Sequence, residues 1–287
     1  MDTIGLIGVG LLGTALAERL IERGYQILGY DVAEQQMHTL SQLGGDVADS
    51  VQQVAERCPR ILLSLPTSDI ALSVVDQIEA NVRADQIIVD TTTGAPSQIR
   101  SIGERLAQKN VRYLDATIGG SSVIARRGEV IIMAGGEPGA YADCEDFWSS
   151  LSQQSFHVGP VGSGAMMKLV VNMVLGLNRA ALAEGLNFAR TLGLDLPMTL
   201  EVLNAGPAQS AAAKAKGQKM IGDDFEPQAR LAQHLKDVRL MLAEAADRDA
   251  KVPMSTLHAE LLQTAVELGF ASSDNSAIIK AYELSQP

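Results

Sequence analysis

A chain of 287 residues, 46% apolar and 20% charged, has a globular composition with room for one large or two modest domains. Its net charge of −11 and pI near 4.8 argue against nucleic acid or an anionic membrane as a general partner. Only two cysteines occur, Cys58 and Cys144, without a Cys-x-x-Cys or a histidine cluster. This excludes a disulfide framework, offers no metal-site spacing and suits a cytoplasmic protein.

The first predicted strand, "TIGLIG" (3–8), follows no basic segment and is broken by glycines, so it is not expected to be a signal peptide. It runs into "GVGLLG", where Gly8, Gly10 and Gly13 fit G-x-G-x-x-G at the point where a strand closes and a helix opens. In that setting Gly8 permits a tight turn, Gly10 lets backbone approach a pyrophosphate, and Gly13 allows close helix–strand packing. The N–H groups at the helix start, around Leu11 and Leu12, would meet the phosphates. The second strand, "QILGYD" (26–31), ends on Asp31, at the usual offset for a carboxylate that accepts the ribose hydroxyls of NAD. No arginine follows it in "VAEQQ" to hold a 2′-phosphate, so NAD is favoured over NADP.

The strands "RILLSLP" (60–66) and "QIIVDTT" (86–92) end in "LPT" (Leu65, Pro66, Thr67) and "DTTTGAP" (90–96). Ligands of open α/β sheets bind at such strand ends, although Thr67 or Ser68, and Ser97, would serve equally as helix N-caps. Next come "VRYLDAT" (111–117), "EVIIMAGG" (129–136) and "SFHVG" (155–159). Gly119, Gly120 and Ser121 follow the first of these in a glycine-rich stretch that suits a carboxylate, or simply a flexible turn. Strands alternating with amphipathic helices imply a doubly wound, mostly parallel sheet, a Rossmann-type domain over 1–162.

Beyond Gly164 the pattern is helical, over 164–193, 198–205, 208–221, 229–248, 254–269 and 275–284. The expected second domain, 163–287, is all-α and begins with a long interdomain helix. Its apolar run Leu169–Leu177 is interrupted by Asn172 and Gly176 and falls short of the roughly 20 residues that span a bilayer. No membrane partner is expected. Lys168 and Asn172 lie four apart, on one face of this helix. An enzyme moving hydride to a carbonyl needs a proton donor. His38, His157, His234 and His258 show no partner spacing, and the tyrosines include no Tyr-x-x-x-Lys pair. Lys168 remains, since a lysine beside a cationic ring becomes a workable acid/base. Its alternative is a snorkelling surface lysine.

Five stretches in order, "GLIGVGLLG", "DATIGGSSVIARRGEV", "GSGAMMKLVVN", "HLKDVRLMLAEA" and "DNSA", resemble the β-hydroxyacid dehydrogenase family over almost the whole chain. "GSGAMMKLVVN" is similar to that family's G-x-G-x-x-x-K-x-x-x-N motif. The resemblance implies an NAD-dependent enzyme that interconverts a small 3-hydroxy acid and its semialdehyde or keto acid. It implies Lys168 as acid/base, Asn172 as its substrate-contacting partner, and a substrate carboxylate held by Gly119, Gly120 and Ser121. Thr93 would lie beside the nicotinamide and Lys236 would close the cofactor site. Homodimers or homotetramers through the helical domain are also implied.

Two features depart from the pattern. The family's S-G-G reads G-G-S here, and its P-G-F reads Pro227, Gln228, Ala229. Arg126 and Arg127 read as solvated surface, with an anionic substrate tail as the alternative. An imine reductase is the competing enzyme reading, against which Lys168 stands. A catalytically silent dinucleotide-binding sensor is the non-enzyme reading.

Overall fold

The computed structural model describes residues 3–285. They fall into two compact units, Met1–Lys168 and Leu169–Pro287. The first contains β1 (Thr3–Ile7), α1 (Leu11–Glu22), β2 (Gln26–Tyr30), α2 (Glu34–Gln42), β3 (Asp46–Val47) and α3 (Val51–Arg57). It continues with β4 (Arg60–Leu63), α4 (Ser68–Ile78), β5 (Ile87–Asp90), α5 (Pro96–Ala107) and β6 (Arg112–Gly119). It ends with α6 (Ser122–Arg126), β7 (Val130–Gly135), α7 (Pro138–Ala142), α8 (Glu145–Leu151) and β8 (Ser152–Gly159).

The strands form one sheet in the order β3-β2-β1-β4-β5-β6-β7-β8. Every neighbouring pair is parallel except β6 and β7. The link between those two carries only the short α6, too little chain for a parallel crossover, so the strand turns back antiparallel. Two apolar layers cover the sheet. One gathers Leu16 and Leu20 of α1 with Phe147 and Trp148 of α8. The other gathers Val54 of α3, Val75 and Ile78 of α4, and Ile99 and Ile102 of α5. This is the doubly wound architecture implied by the near-continuous apolar runs. The two-residue β3 had no separate apolar run to announce it.

The long helix α9 (Ser163–Thr191) leads into the second unit, followed by α10 (Leu196–Ala205), α11 (Ala211–Ile221), α12 (Leu231–Ala246) and α13 (Pro253–Ala265). A π-helical turn, Val266–Phe270, and a 3₁₀ segment, Asn275–Ser285, complete the described chain. Capping sets two starts: Asp195 accepts the Met198 N–H at 2.8 Å, and Ser210 accepts that of Ala213 at 3.0 Å. The final segment is 3₁₀ rather than α at its start because the Ala277 N–H bonds back three residues, to the Asp274 carbonyl. The helical core joins Leu186 of α9, Leu200, Met220, Leu235, Val238 and Leu262.

Among the described residues, α9 is the one helix long and apolar enough to cross a bilayer by length and composition. Its buried face carries Asn172 and Arg179, which belongs to a helix packed on protein. Arg179 is only 3% exposed, and burial lowers its pKa to about 10.

Candidate active site

The turn after β1 has the three-glycine geometry that a dinucleotide requires. Gly8 has φ of +95°, and a Cβ there would stand 2.4 Å from the Ser64 carbonyl oxygen. A Cβ on Gly13 would lie 2.1 Å from the Gly8 oxygen, so α1 and the turn are in direct backbone contact. Gly10 differs: a Cβ there would meet nothing within 4 Å. Open space over Gly10, and an α1 N-terminus with no side-chain cap, leave N–H groups at Leu11 and Leu12 for an anion. The residues present therefore fit a pyrophosphate.

Asp31 is held rigidly beside this turn. Its Oδ2 accepts the Val9 N–H at 2.7 Å and its Oδ1 accepts that of Ala33 at 2.9 Å. Each carboxylate oxygen has a further lone pair for a ribose hydroxyl. The next two strand-end loops are tied together. Thr92 Oγ1 accepts the Leu65 N–H at 3.3 Å, and Thr91 Oγ1 donates to the Leu63 carbonyl at 2.8 Å. Buried Asp90 accepts the Thr92 N–H and the Tyr113 hydroxyl, while burial raises its pKa. Thr91 and Thr92 are buried, whereas Thr93 is half-exposed beside Gly94. Thr67 caps α4 through the Ile70 N–H, as expected of it. Ser97 does not cap α5, which begins at Ala95 and Pro96, a proline in the first turn supplying the preset φ instead.

Past β6, Gly120 takes φ of +152° and Ser121 stands at the head of α6, where its hydroxyl makes no cap bond. The Lys168 ammonium donates to the Ile118 carbonyl at 2.6 Å, immediately before Gly119. The first unit thus brings Lys168 to the edge of the Gly119–Ser121 stretch. Arg126 is engaged elsewhere, with its Nε 2.7 Å from Glu18 of α1, so it acts as a surface ion pair. Arg127 is exposed.

In the second unit, Asn172 Nδ2 donates to Asp237 Oδ2 at 3.0 Å, and Lys236 Nζ lies 3.2 Å from Asp237 Oδ1. Asn172 and Lys236 are therefore gathered around one buried carboxylate. Asp237 had not been singled out in the sequence, although its Lys-Asp dipeptide lay inside a family-like stretch. The "DNSA" segment also gains a role. Asp274 Oδ2 accepts Lys216 Nζ at 2.9 Å and the N–H groups of Gln228 and Ala229 at 3.0 and 3.2 Å. Burial works to raise its pKa, but Lys216 and the N–H groups of Ser276 and Gln228 lower it overall. Asp274 thereby fixes the Pro227–Ala229 stretch that departs from the family pattern.

Comparison with known proteins agrees with this geometry. Residues 3–159 match the family described as the NAD binding domain of 6-phosphogluconate dehydrogenase. Residues 162–282 match the one described as NAD-binding of NADP-dependent 3-hydroxyisobutyrate dehydrogenase. Glyoxylate/succinic semialdehyde reductase 1 of Arabidopsis thaliana is 30% identical over 291 residues, covering 99% of each chain. The cytokine-like nuclear factor N-PAC of Drosophila melanogaster is 26% identical over 96% of this chain, which spans about half of that protein's length (47%). In fold, 3-hydroxyisobutyrate dehydrogenase of Mycobacterium tuberculosis, solved with L-serine, superposes with a TM-score of 0.91 at 22% identity, each chain fully covered.

Proposed function

The chain belongs to the β-hydroxyacid dehydrogenase family, and from that membership we propose that it interconverts a small 3-hydroxy acid and its semialdehyde or keto acid, with Lys168 as general acid/base. A nicotinamide dinucleotide, when bound, supplies or accepts the hydride. Gly8, Gly10, Gly13 and the N–H groups of Leu11 and Leu12 hold its pyrophosphate. Asp31 takes the ribose hydroxyls and favours NAD over NADP, and Leu65, Pro66, Thr67 and Thr93 line its path, with Lys236 contributing from the second unit.

The observation that carries the reading is the Lys168 ammonium at 2.6 Å from the Ile118 carbonyl, next to Gly119, Gly120 and Ser121. In reduction the ammonium gives one proton to the substrate's carbonyl oxygen as the carbonyl carbon is reduced, and in oxidation the neutral amine takes it from the hydroxyl. Gly119, Gly120 and Ser121 bind the substrate carboxylate through backbone N–H groups and a hydroxyl. Asn172, fixed by Asp237, is the substrate's second polar contact. Residues 1–162 bind the cofactor, and 163–287 serve substrate binding and assembly. Against an imine reductase or a silent sensor stands the lysine itself, because a sensor has no use for a proton donor there.

We further propose a homodimer or homotetramer assembled through the helical unit. Val170, Val174, Phe188 and Leu192 of α9 and the turn after it, with Met198 and Val202 of α10, are all more than half exposed. Such a run of exposed apolar side chains suits burial against a second copy of the chain. The buried free thiols Cys58 and Cys144 support a reducing, cytoplasmic location. The activity is tested by offering a panel of 3-hydroxy acids and semialdehydes with NAD and NADP in parallel, reading absorbance of the reduced nicotinamide. Turnover of at least one member, faster with NAD, is expected. No turnover across the panel would overturn the assignment.

A further inference from the structure

Strand β6 holds the start of α9 at three successive points. Asp115 Oδ1 accepts the Gly162 N–H at 2.8 Å, and its Oδ2 accepts the Ala165 N–H at 2.8 Å. Thr117 Oγ1 donates to the Gly164 carbonyl at 2.9 Å. The Ile118 carbonyl then receives Lys168 Nζ at 2.6 Å. Three positions on the strand thus hold the chain from Gly162 to Lys168. The strand's last anchor is the backbone group adjoining Gly119.

The packing leaves this junction little play. A Cβ on Gly164 would lie 2.1 Å from the Asp115 carbonyl oxygen and 2.6 Å from that of Met133, so helix and sheet backbones touch. On β7, a Cβ on Gly135 would lie 2.5 Å from Asp115 Oδ1. Glycines on both flanks are what allow a carboxylate to be enclosed here with 1% exposure. A buried carboxylate is costly unless it is hydrogen-bonded. Here it satisfies two N–H groups of a helix start that have no partner within the helix, at the end where the helix dipole favours negative charge. Two N–H groups three residues apart fix both the height and the rotation of the first turn. One bond alone would leave it free to swivel.

We propose that Asp115 is a positioning residue for the reaction: it sets the register of the first turns of α9 on β6, and so the place of the Lys168 ammonium at Ile118 and the Gly119–Ser121 stretch. Thr117 is its lesser partner. The inference rests on the reading of Lys168 as acid/base, and displacing a reacting group by about 1 Å can cost on the order of a hundredfold in rate.

The test compares Asp115→Asn, Thr117→Val and Thr117→Ser with wild type. Steady-state kcat and KM are measured on a substrate from the panel, together with NADH affinity by fluorescence and thermal unfolding. The rate at which trinitrobenzenesulfonate labels Lys168, relative to exposed Lys251, is followed by peptide mass spectrometry and needs no substrate. For Asp115→Asn, kcat should fall at least about tenfold while KM and NADH affinity stay within about twofold. Lys168 labelling should rise at least about threefold as the ammonium leaves its carbonyl, judged on the same scale of displacement. Thr117→Val should move kcat and labelling the same way by less, and Thr117→Ser should restore both. Wild-type kcat and labelling in Asp115→Asn would overturn the proposal, as would a lowered Tm with unchanged labelling. If Asp115→Asn does not fold, the threonine pair decides: equal kcat and labelling in Thr117→Val and wild type would overturn it. Retained turnover in Lys168→Ala would instead sink the acid/base reading, whatever Asp115 does.

Discussion

Asp31 combines two tasks in one carboxylate. Its bonds to the Val9 and Ala33 N–H groups fix the turn after β1 against the end of β2, and in the proposed function its charge would meet a ribose. A 2′-phosphate brought to a fixed carboxylate meets repulsion with no nearby arginine to offset it, because Val32 to Gln36 contain none. Asp31→Ala should therefore lower the ratio of kcat/KM with NAD to that with NADP by about tenfold or more, equivalent to roughly 1.4 kcal/mol of discrimination. It should also reduce stability, since two backbone donors lose their acceptor at roughly 1–3 kcal/mol each where no water replaces it. A variant with unchanged cofactor selectivity would remove Asp31 from the ribose. Asp115 illustrates the opposite balance. Burial pushes its carboxyl up to about 6, while the N–H groups of Ala165 and Gly162 pull the other way. Asp90 on β5 adds repulsion. Both of its oxygens accept an N–H from the start of α9.

At the scale of elements, α9 divides its residues by face. The inward face holds Leu169, Asn172, Gly176, Arg179, Ala183 and Leu186, a spacing of three and four. Gly176 is small because a Cβ there would meet the rings of His234 and His258 at 2.6 Å. Those two histidines pack as a tilted pair with centroids 5.2 Å apart, and burial lowers the His258 pKa to about 4. Both are buried packing residues of the second unit. The outward stripe, Val170, Val174 and Phe188 with Leu192 just past the helix, is exposed and would carry the proposed assembly. Replacing Phe188 and Leu192 together with aspartate should shift the protein to a lower mass in light scattering after size exclusion, with the fold retained by circular dichroism. An unchanged mass would take this stripe out of the interface.

Across the whole molecule, what could be read from the sequence was whatever left a periodic or spaced signal. Seven of the eight strands lie on the expected apolar runs, and the glycines, Asp31 and Lys168 followed from position relative to those strands. Other features depended on contacts between distant segments. The reversal of β7 against β6 turns on the length of a connection, and the two-residue β3 carries no apolar run. Asp115 and Asp237 are individually ordinary acidic residues. Only folding sets Asp115 against Gly162 and Ala165, 47 and 50 positions away, and Asp237 against Asn172, 65 positions away. Ser97 looked like a cap by composition, but Pro96 had already fixed the start of its helix. The family motif located Lys168, and the geometry supplied what that motif lacks, a carbonyl that holds its ammonium at 2.6 Å.

The most direct test of that lysine is Lys168→Ala, assayed with a substrate that the wild type turns over and with NADH binding measured on the same preparation. A general acid/base is worth about a hundredfold to ten-thousandfold in rate, so kcat should fall by that amount while NADH affinity stays within about twofold. A variant that binds NADH normally and turns over within about threefold of wild type, well inside that range, would contradict the account.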